Sequence, residues 1–232
     1  MRPPKAVLLD VLGTLLRLDS PAERLRAELA RAGFEVSEEQ AADAFRGEAA
    51  YYVGHHLEGR DAASLDRLRD RSAEALARAL PVAIAGPAAK RALLAALRFS
   101  AFPDAAPALG ELRAAGVRLV AVSNWDCSLT ERLAEAGLAD LLDAAVASAS
   151  VGAAKPSEKI FHAALEAASC DSSNALHVGD SLENDVAGAR SAGIQAVLLA
   201  RGNPRPPVDN AASDVPILHS LAELPALALS RR

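Results

Sequence analysis

The sequence predicts an α/β protein in which an all-helical segment interrupts a Rossmann-like parallel sheet near its start. Apolar runs without alternation, typical of strands covered on both faces, alternate with amphipathic segments in the later part of the chain. Between the first apolar run and this alternating part, the sequence carries helix signals and no convincing strand signal. Alternating strands and helices favour parallel βαβ units with right-handed crossovers.

Composition narrows the class of protein. The chain has 232 residues, 51% of them apolar and 24% charged, as in folded globular proteins. A net charge of -5 and an aromatic content of 3% argue against a nucleic-acid partner. Cys127 and Cys170 show no metal-type spacing and favour a reducing compartment. Asp10 interrupts the only signal-like apolar run, and no run reaches the ~20 residues that span a bilayer, so we expect a cytoplasmic protein without membrane contact.

The first stretch, Lys5 to Leu16, is predicted to be one buried strand that contains the apolar run AVLL and leads into a loop. We expect this strand to belong to a core domain made of residues 1–16 and 99–232. Residues 17–98 are expected to form the helical cap domain.

Helix signals recur throughout the predicted cap. Ser20–Glu23 and Ser37–Gln40 both match a capping box at a helix start. The leucines between Leu65 and Leu80 share one face of a third helix, and residues 87–97 supply a fourth.

The rest of the core alternates between helices and strands, with glycines at several helix ends. The predicted helices are 105–115, 128–137, 157–168 and 184–192, the predicted strands are 117–122, 144–147, 175–178 and 196–199, and residues 201–216 are expected to form a surface loop.

Polar residues follow three of the predicted strands. Asp10 ends the first, Ser123 and Asn124 end the run LVAVSN, and Asp180 ends ALHVGD. Ligands of open parallel sheets bind outside the carboxyl ends of the strands, so these side chains should converge on one crevice. Lys155, before a proline at a helix start, can add a positive charge there.

Two carboxylates at neighbouring strand ends repel each other unless a cation lies between them. Mg²⁺ is the natural candidate, because it prefers oxygen ligands and is often held by one or two carboxylates together with a phosphate. A hydroxyl, an amide, a lysine and a metal ion would together stabilise the negative charge of phosphoryl transfer.

The segments AVLLDVLGTLL, LVAVSN, GAAKP and HVGDSLENDVAGARSAG, in this order, resemble the four motifs of the haloacid dehalogenase superfamily of hydrolases. The whole chain looks similar to the haloacid dehalogenase-like hydrolase domain-containing proteins. The resemblance implies a Rossmann-like core with a helical cap inserted after the first motif. It also implies that Asp10 is the nucleophile, that Ser123 and Asn124 hold the transferring group, and that Lys155 stabilises the developing charge.

The resemblance further implies a metal site for Mg²⁺. Asp10, the backbone carbonyl of Leu12 and Asp180 would be its ligands, and Asp185 would support the metal or its waters.

One position departs from the family pattern. Phosphatases of this superfamily usually carry a second aspartate two residues after the nucleophile, where this chain has Leu12. Loss of a general acid typically costs 10²–10⁴-fold in rate. The substrate could have a leaving group that needs little protonation, the cap could supply an acid such as His55 or His56, or the protein could be a poor phosphatase.

Three functions remain open on the sequence. The favoured one is a magnesium-dependent phosphatase that hydrolyses a small phosphorylated metabolite through an aspartyl-phosphate intermediate. The second is a 2-haloacid dehalogenase. Enzymes of that branch also lack the second aspartate, but their motifs usually have a tyrosine at the position of Leu12 and a serine at that of Asp180. The third is a catalytically weak protein that binds a phosphorylated metabolite. The oligomeric state is not indicated.

Overall fold

A computed structural model describes residues 3–202 and 214–230 of the chain. The chain divides into two compact units. One unit contains the chain up to Arg17 and from Ala101 onward, and is called the core unit below. The other, Leu18–Ser100, is called the helical unit.

A six-stranded sheet forms the centre of the core unit, with every pair of neighbouring strands parallel. The strand order is β5-β4-β1-β6-β7-β8. The strands are β1 (Ala6–Leu9), β4 (Arg118–Ser123), β5 (Ala144–Ala147), β6 (Ala175–Gly179), β7 (Gln195–Leu199) and β8 (Ile217–Leu218). The prediction of an α/β fold with a parallel sheet is confirmed.

The lack of alternation in the apolar runs has a physical cause. All four residues of β1 are fully buried, because helices cover both faces of the sheet. The helices of the core unit are α5 (Ala105–Ala114), α6 (Leu129–Glu135), α7 (Ser148–Val151), α8 (Glu158–Ala167), α9 (Gly188–Ser191) and α10 (Leu224–Leu229). A π-helical turn, Leu182–Ala187, precedes α9.

The carboxyl ends of β4, β1 and β6 are adjacent because β1 lies between the other two strands. Leu9 pairs with Ala121 of β4 and with Val178 of β6. The residues that follow these strands therefore reach the same edge of the sheet, as the strand-end argument requires.

The helical unit contains four α-helices around a core of leucines and alanines. They are α1 (Pro21–Arg31), α2 (Glu38–His55), α3 (Ala62–Ala79) and α4 (Gly86–Ala96). The capping box at Ser37 is confirmed, since Ser37 Oγ accepts from the Gln40 N–H and Gln40 Oε1 accepts from the Ser37 N–H. The box at Ser20 is wrong, because Ser20 has a left-handed backbone with φ 41° and its side chain makes no cap hydrogen bond.

The sequence did not indicate three short strands or the helices α7 and α10. β2 (Leu16–Leu18) and β3 (Phe99–Ala101) form a separate two-stranded sheet. β8 has only two residues, too few for an apolar pattern to stand out. No strand or helix was predicted at its position. Residues 203–213 of the predicted loop before it lie outside the described part of the chain.

Candidate active site

The site begins at Asp10, the residue after β1. Its N–H donates to the carbonyl of Val178 in β6 at 2.9 Å, which ties it to the sheet edge. Gly13 follows in the same loop with φ +89°, and a Cβ built there would overlap the carboxylate of Asp180. Only glycine allows this close approach without strain, so the loop holds the two acidic residues near each other.

The second strand contributes Ser123 and Asn124. Ser123 is the buried last residue of β4. The Asn124 side chain bonds the backbone of Lys155 at both ends, with Nδ2 donating to the Lys155 carbonyl at 3.1 Å and Oδ1 accepting from its N–H at 2.7 Å. Asn124 therefore fixes the main chain that carries Lys155.

Lys155 is the central cation of the site. Its Nζ donates to Asp10 Oδ1 and to Asp185 Oδ1, each at 2.6 Å. The three side chains are 3%, 8% and 2% exposed, respectively. Charge-assisted bonds this short are strong, and burial protects them from screening by salt.

Asp10, Asp180 and Asp185 form a cluster of carboxylates. Each offers an oxygen, and these atoms all lie within 4.8 Å of one another. When every group is ionised, three carboxylates and one ammonium leave a net charge of −2. None of the described residues donates a hydrogen bond to the buried Asp10 Oδ2. An all-oxygen donor set with an unpartnered carboxylate oxygen and this charge fits Mg²⁺.

The pKa values follow the charges around each group. Burial, opposed by Lys155 and assisted by Asp185, raises the pKa of Asp10 above its usual range. Desolvation and the negative charges of Asp10 and Asp185 raise the pKa of Asp180 to about 7. Burial acts the same way on Asp185, but the Lys155 ammonium and the hydrogen bond from His177 outweigh it and lower its pKa.

The ammonium itself is held in its charged form. Burial alone would lower the pKa of Lys155, but the two carboxylates raise it. The cluster thus consists of a permanently ionised Asp185–Lys155 pair and two carboxylates, Asp10 and Asp180, whose ionisation a further cation would favour.

The sequence-based site residues fall into distinct positions. Asp10, Lys155, Asp180 and Asp185 are brought together in the core unit, with Ser123 and Asn124 at the neighbouring strand end. The Leu12 side chain is 45% exposed. His55 and His56 lie at the end of α2 in the helical unit. The Nδ1 of His55 bonds the carbonyl of Tyr51, and the Nδ1 of His56 bonds the carbonyl of Val53.

The sequence predicts His177 as a packed, hydrogen-bonded residue but does not indicate its partner. In the structure its Nε2 lies 3.0 Å from Asp185 Oδ1. The one available signal was its place in β6, two residues before Gly179 in the run that ends at Asp180.

Comparison with known proteins decides the family. The model of the haloacid dehalogenase-like hydrolases matches residues 4–193, which include every site residue named above. The chain belongs to the haloacid dehalogenase-like hydrolases. The resemblance inferred from the four motifs is confirmed.

Individual relatives of this hydrolase carry phosphatase and dehalogenase names. A phosphoglycolate phosphatase of Rhodospirillum rubrum is 32% identical over 217 residues, covering 88% of this chain and 83% of the relative. Haloacid dehalogenase-like hydrolase domain-containing protein 3 of Bos taurus is 37% identical over 113 residues, covering 48% of this chain and 44% of the relative. The matched part spans about half the length or less of the first such relatives.

Solved structures confirm the fold. The L-2-haloacid dehalogenase of Xanthobacter autotrophicus superposes with a TM-score of 0.73 at 22% identity, covering 99% of this chain and 100% of that one. Within the described residues of this hydrolase, none of the helices has the length and apolar character needed to cross a membrane. The expected cytoplasmic location stays a prediction.

Proposed function

We propose that this hydrolase is a magnesium-dependent phosphatase that removes phosphate from a small phosphorylated metabolite. The observation that carries the proposal is the buried contact between Lys155 and Asp10 beside two further carboxylates. A lysine alone would suffice to balance a single carboxylate nucleophile. The additional acidic groups favour a site that works with a divalent cation and a phosphate.

Asp10 is the proposed nucleophile. A carboxylate oxygen of Asp10 attacks the phosphorus, the bond from phosphorus to the leaving oxygen breaks, and an aspartyl phosphate forms. Water then hydrolyses this intermediate to inorganic phosphate and regenerates Asp10. The Lys155 ammonium, 2.6 Å from Asp10 Oδ1, orients the carboxylate and balances charge as the phosphoryl group arrives.

Ser123 and Asn124 share the positioning of the transferring group. The hydroxyl of Ser123, buried at the end of β4, supplies a donor for a phosphoryl oxygen. Asn124 acts on the phosphoryl group through Lys155, because its amide is already bonded to the Lys155 backbone at both ends.

Asp10, Asp180 and the Leu12 carbonyl are the proposed protein ligands of Mg²⁺, with Asp185 supporting the bound waters. Asp10 Oδ2 has no other partner among the described residues, which fits a ligand role. The ion would supply Lewis-acid stabilisation of the phosphoryl oxygens. Asp185 is a poorer direct ligand, since both of its oxygens already accept hydrogen bonds, from Lys155, His177 and the Ser181 N–H.

The nature of the leaving group follows from Leu12. Leucine carries no proton to donate to a departing alkoxide. A leaving oxygen of low basicity, such as that of an aryl or acyl phosphate, departs without one. We therefore propose that such substrates are turned over faster than alkyl phosphates.

We also propose that the helical unit is the cap that selects the substrate. Its four helices have their own apolar core, and it is inserted between two parts of the core unit. This proposal would give the core domain residues 1–16 and 99–232 and the cap residues 17–98.

A dehalogenase function is the second candidate, and Leu12 is the observation in its favour, because halide departs without a proton. The carboxylate of Asp180 speaks against it. Dehalogenation at Asp10 needs no divalent cation, and without one the ionised carboxylate of Asp180 is disfavoured by burial and by the negative charges of Asp10 and Asp185.

Phosphate release from a panel of phosphate monoesters, measured with Mg²⁺ and with a chelator, tests the proposal. Asp10→Asn is the inactive reference and Lys159→Met, which changes an exposed lysine of α8, is the matched control. Turnover that requires Mg²⁺ and Asp10 is the expected result. Metal-independent halide release from 2-chloropropionate would instead establish the dehalogenase, and binding of phosphorylated compounds without turnover would establish a binding protein.

A further inference from the structure

His177 lies in the middle of the sheet, in β6 between β1 and β7. Its register partners are Leu8 and Ala196, and its side chain is fully buried. An imidazole in such apolar surroundings costs free energy unless its polar atoms find partners. A leucine or valine, as found at neighbouring buried positions of the sheet, would fill the site without that cost.

One nitrogen of the ring has a partner and the other does not. His177 Nε2 lies 3.0 Å from Asp185 Oδ1, whereas Nδ1 is unpaired within the described part of the chain. The Phe161 ring meets the imidazole edge-on, with centroids 5.1 Å apart and an interplanar angle of 88°. Because an ionised carboxylate only accepts, Nε2 carries a hydrogen and donates it to Asp185.

Asp185 receives the bond from His177 together with two others. Its Oδ1 also accepts from Lys155 Nζ at 2.6 Å, and its Oδ2 accepts from the Ser181 N–H at 3.0 Å. Three hydrogen bonds to its two oxygens restrain the orientation of this carboxylate. The same Lys155 nitrogen contacts Asp10 Oδ1, so a continuous chain of hydrogen bonds runs from the sheet interior to the proposed nucleophile.

We propose that His177 is a positioning residue of the active site: its Nε2–H fixes the carboxylate of Asp185, which in turn holds Lys155 against Asp10. In its effect on turnover, this inference rests on the proposed phosphatase function. The hydrogen-bonded chain itself is a property of the protein without substrate. A merely structural histidine would serve only to fill volume beside Phe161.

Two substitutions separate positioning from volume. His177→Gln places an amide N–H near the position of the imidazole Nε2, whereas His177→Leu keeps an apolar side chain and removes the donor. If His177 positions Asp185, the Leu variant should lose ~10–100-fold in kcat with little change in KM, the usual range for a lost outer partner of a metal site. The Gln variant should recover most of that loss.

Two further measurements do not depend on turnover. ¹⁵N NMR of the wild-type imidazole should show a protonated Nε2. Titration with MgCl₂, followed by the fluorescence of Trp125, should show ~10–100-fold weaker binding in the Leu variant than in wild type. The matched control is His162→Leu, since His162 is exposed on α8 and should leave every readout unchanged.

The proposal is overturned if Nε2 carries no proton, or if a folded Leu variant keeps the wild-type kcat and magnesium affinity. It is also overturned if the Gln variant is as impaired as the Leu variant at equal thermal stability, because volume would then be what matters. Should no phosphate ester be turned over by the wild type, the tautomer and the magnesium titration still decide the role of His177. Should the Leu variant fail to fold, the tautomer and the Gln variant decide it.

Discussion

Replacement of Lys155 by methionine tests the charge arrangement of the site most directly. The substitution keeps a long, unbranched side chain and removes the ammonium that contacts Asp10 and Asp185 at 2.6 Å. Both carboxylates are less than a tenth exposed. They would be left buried without their common counter-charge, close to a third carboxylate at Asp180.

The expected loss of stability is large. Removing one partner of a buried ion pair costs about 3–5 kcal/mol, because the remaining charge is uncompensated. For a chain of this size, about 1 kcal/mol shifts Tm by roughly 2–4 °C. Lys155→Met should therefore lower Tm in metal-free buffer by roughly 6–20 °C.

A divalent cation should reverse part of this loss. Without the ammonium, the cluster of three carboxylates carries one more negative charge, so Mg²⁺ should raise the Tm of Lys155→Met more than that of wild type. An ion at 100 times its Kd stabilises the folded state by about 2.7 kcal/mol. Phosphatase activity should not return with the stability, because the group that orients Asp10 is absent.

Thermal unfolding followed by the fluorescence of Trp125 measures the effect in the core unit, since Trp125 is the only tryptophan and lies directly after Asn124. Lys159→Met is the control for the loss of a lysine. If Lys155→Met melts at the same temperature as this control without metal, the buried pair contributes nothing and the argument from charge fails. An equal response of both variants to Mg²⁺ would contradict the proposed cation site.

Three other substitutions test separate parts of the molecule. Burial raises the pKa of Glu48 from 4.5 to about 7, so the folded protein favours the protonated side chain. The stability gained from this preference is complete below pH 4.5, and about 3 kcal/mol is lost as the pH rises to about 7. Hydrogen exchange in α2 should show this loss in wild type and not in Glu48→Gln. Burial alone would raise the pKa of Asp104, but Arg201 and Ser220 lower it to about 2. The ionised Asp104 therefore stabilises the fold by about 1 kcal/mol after screening by solvent, and this stabilisation is present above pH 4 and lost as the pH falls towards 2. Acid unfolding of Asp104→Asn should lack this component. Leu12→Asp should raise activity on alkyl phosphates by up to roughly 100-fold and on aryl phosphates less, and equal gains in a phosphate-release assay would contradict the missing-acid argument.

The elements that the sequence predicted well are those with a strong physical pattern. β5 was predicted with its observed bounds, and β1 lies inside the stretch predicted as a buried strand, because both are uninterrupted apolar runs. The capping box at Ser37 was predicted correctly, whereas at Ser20 the helix begins where predicted but the side chain makes no cap hydrogen bond. Asp19, the residue before Ser20, accepts a hydrogen bond from the hydroxyl of Ser100. Ser100 lies 81 positions further along the chain, so no local sequence pattern reveals this contact.

The same limit applies to the site. The strand-end argument predicted that Asp10 and Asp180 meet, because parallel topology alone brings them to one edge. The division of labour among the carboxylates was not predictable, since it depends on which of them the single ammonium contacts. The partner of His177 was not predictable for the same reason. That partner, Asp185, lies eight residues away in a π-helical turn whose geometry decides which way the carboxylate faces.

The charge balance of the site connects these findings to the choice of reaction. With Lys155 shared between Asp10 and Asp185 and all three carboxylates ionised, the site would have a net charge of −2 and would repel a phosphate dianion. One divalent cation brings the site to neutrality and gives the phosphate a positive centre to bind. A dehalogenation at Asp10 has no such requirement, because Lys155 already balances the charge of the nucleophile and no phosphate dianion has to be bound. A third carboxylate at Asp180 is therefore expected in a metal-dependent phosphatase, whereas in a dehalogenase it would only add repulsion. For this reason the charge of the site, and not the missing acid at Leu12, should decide between the two functions.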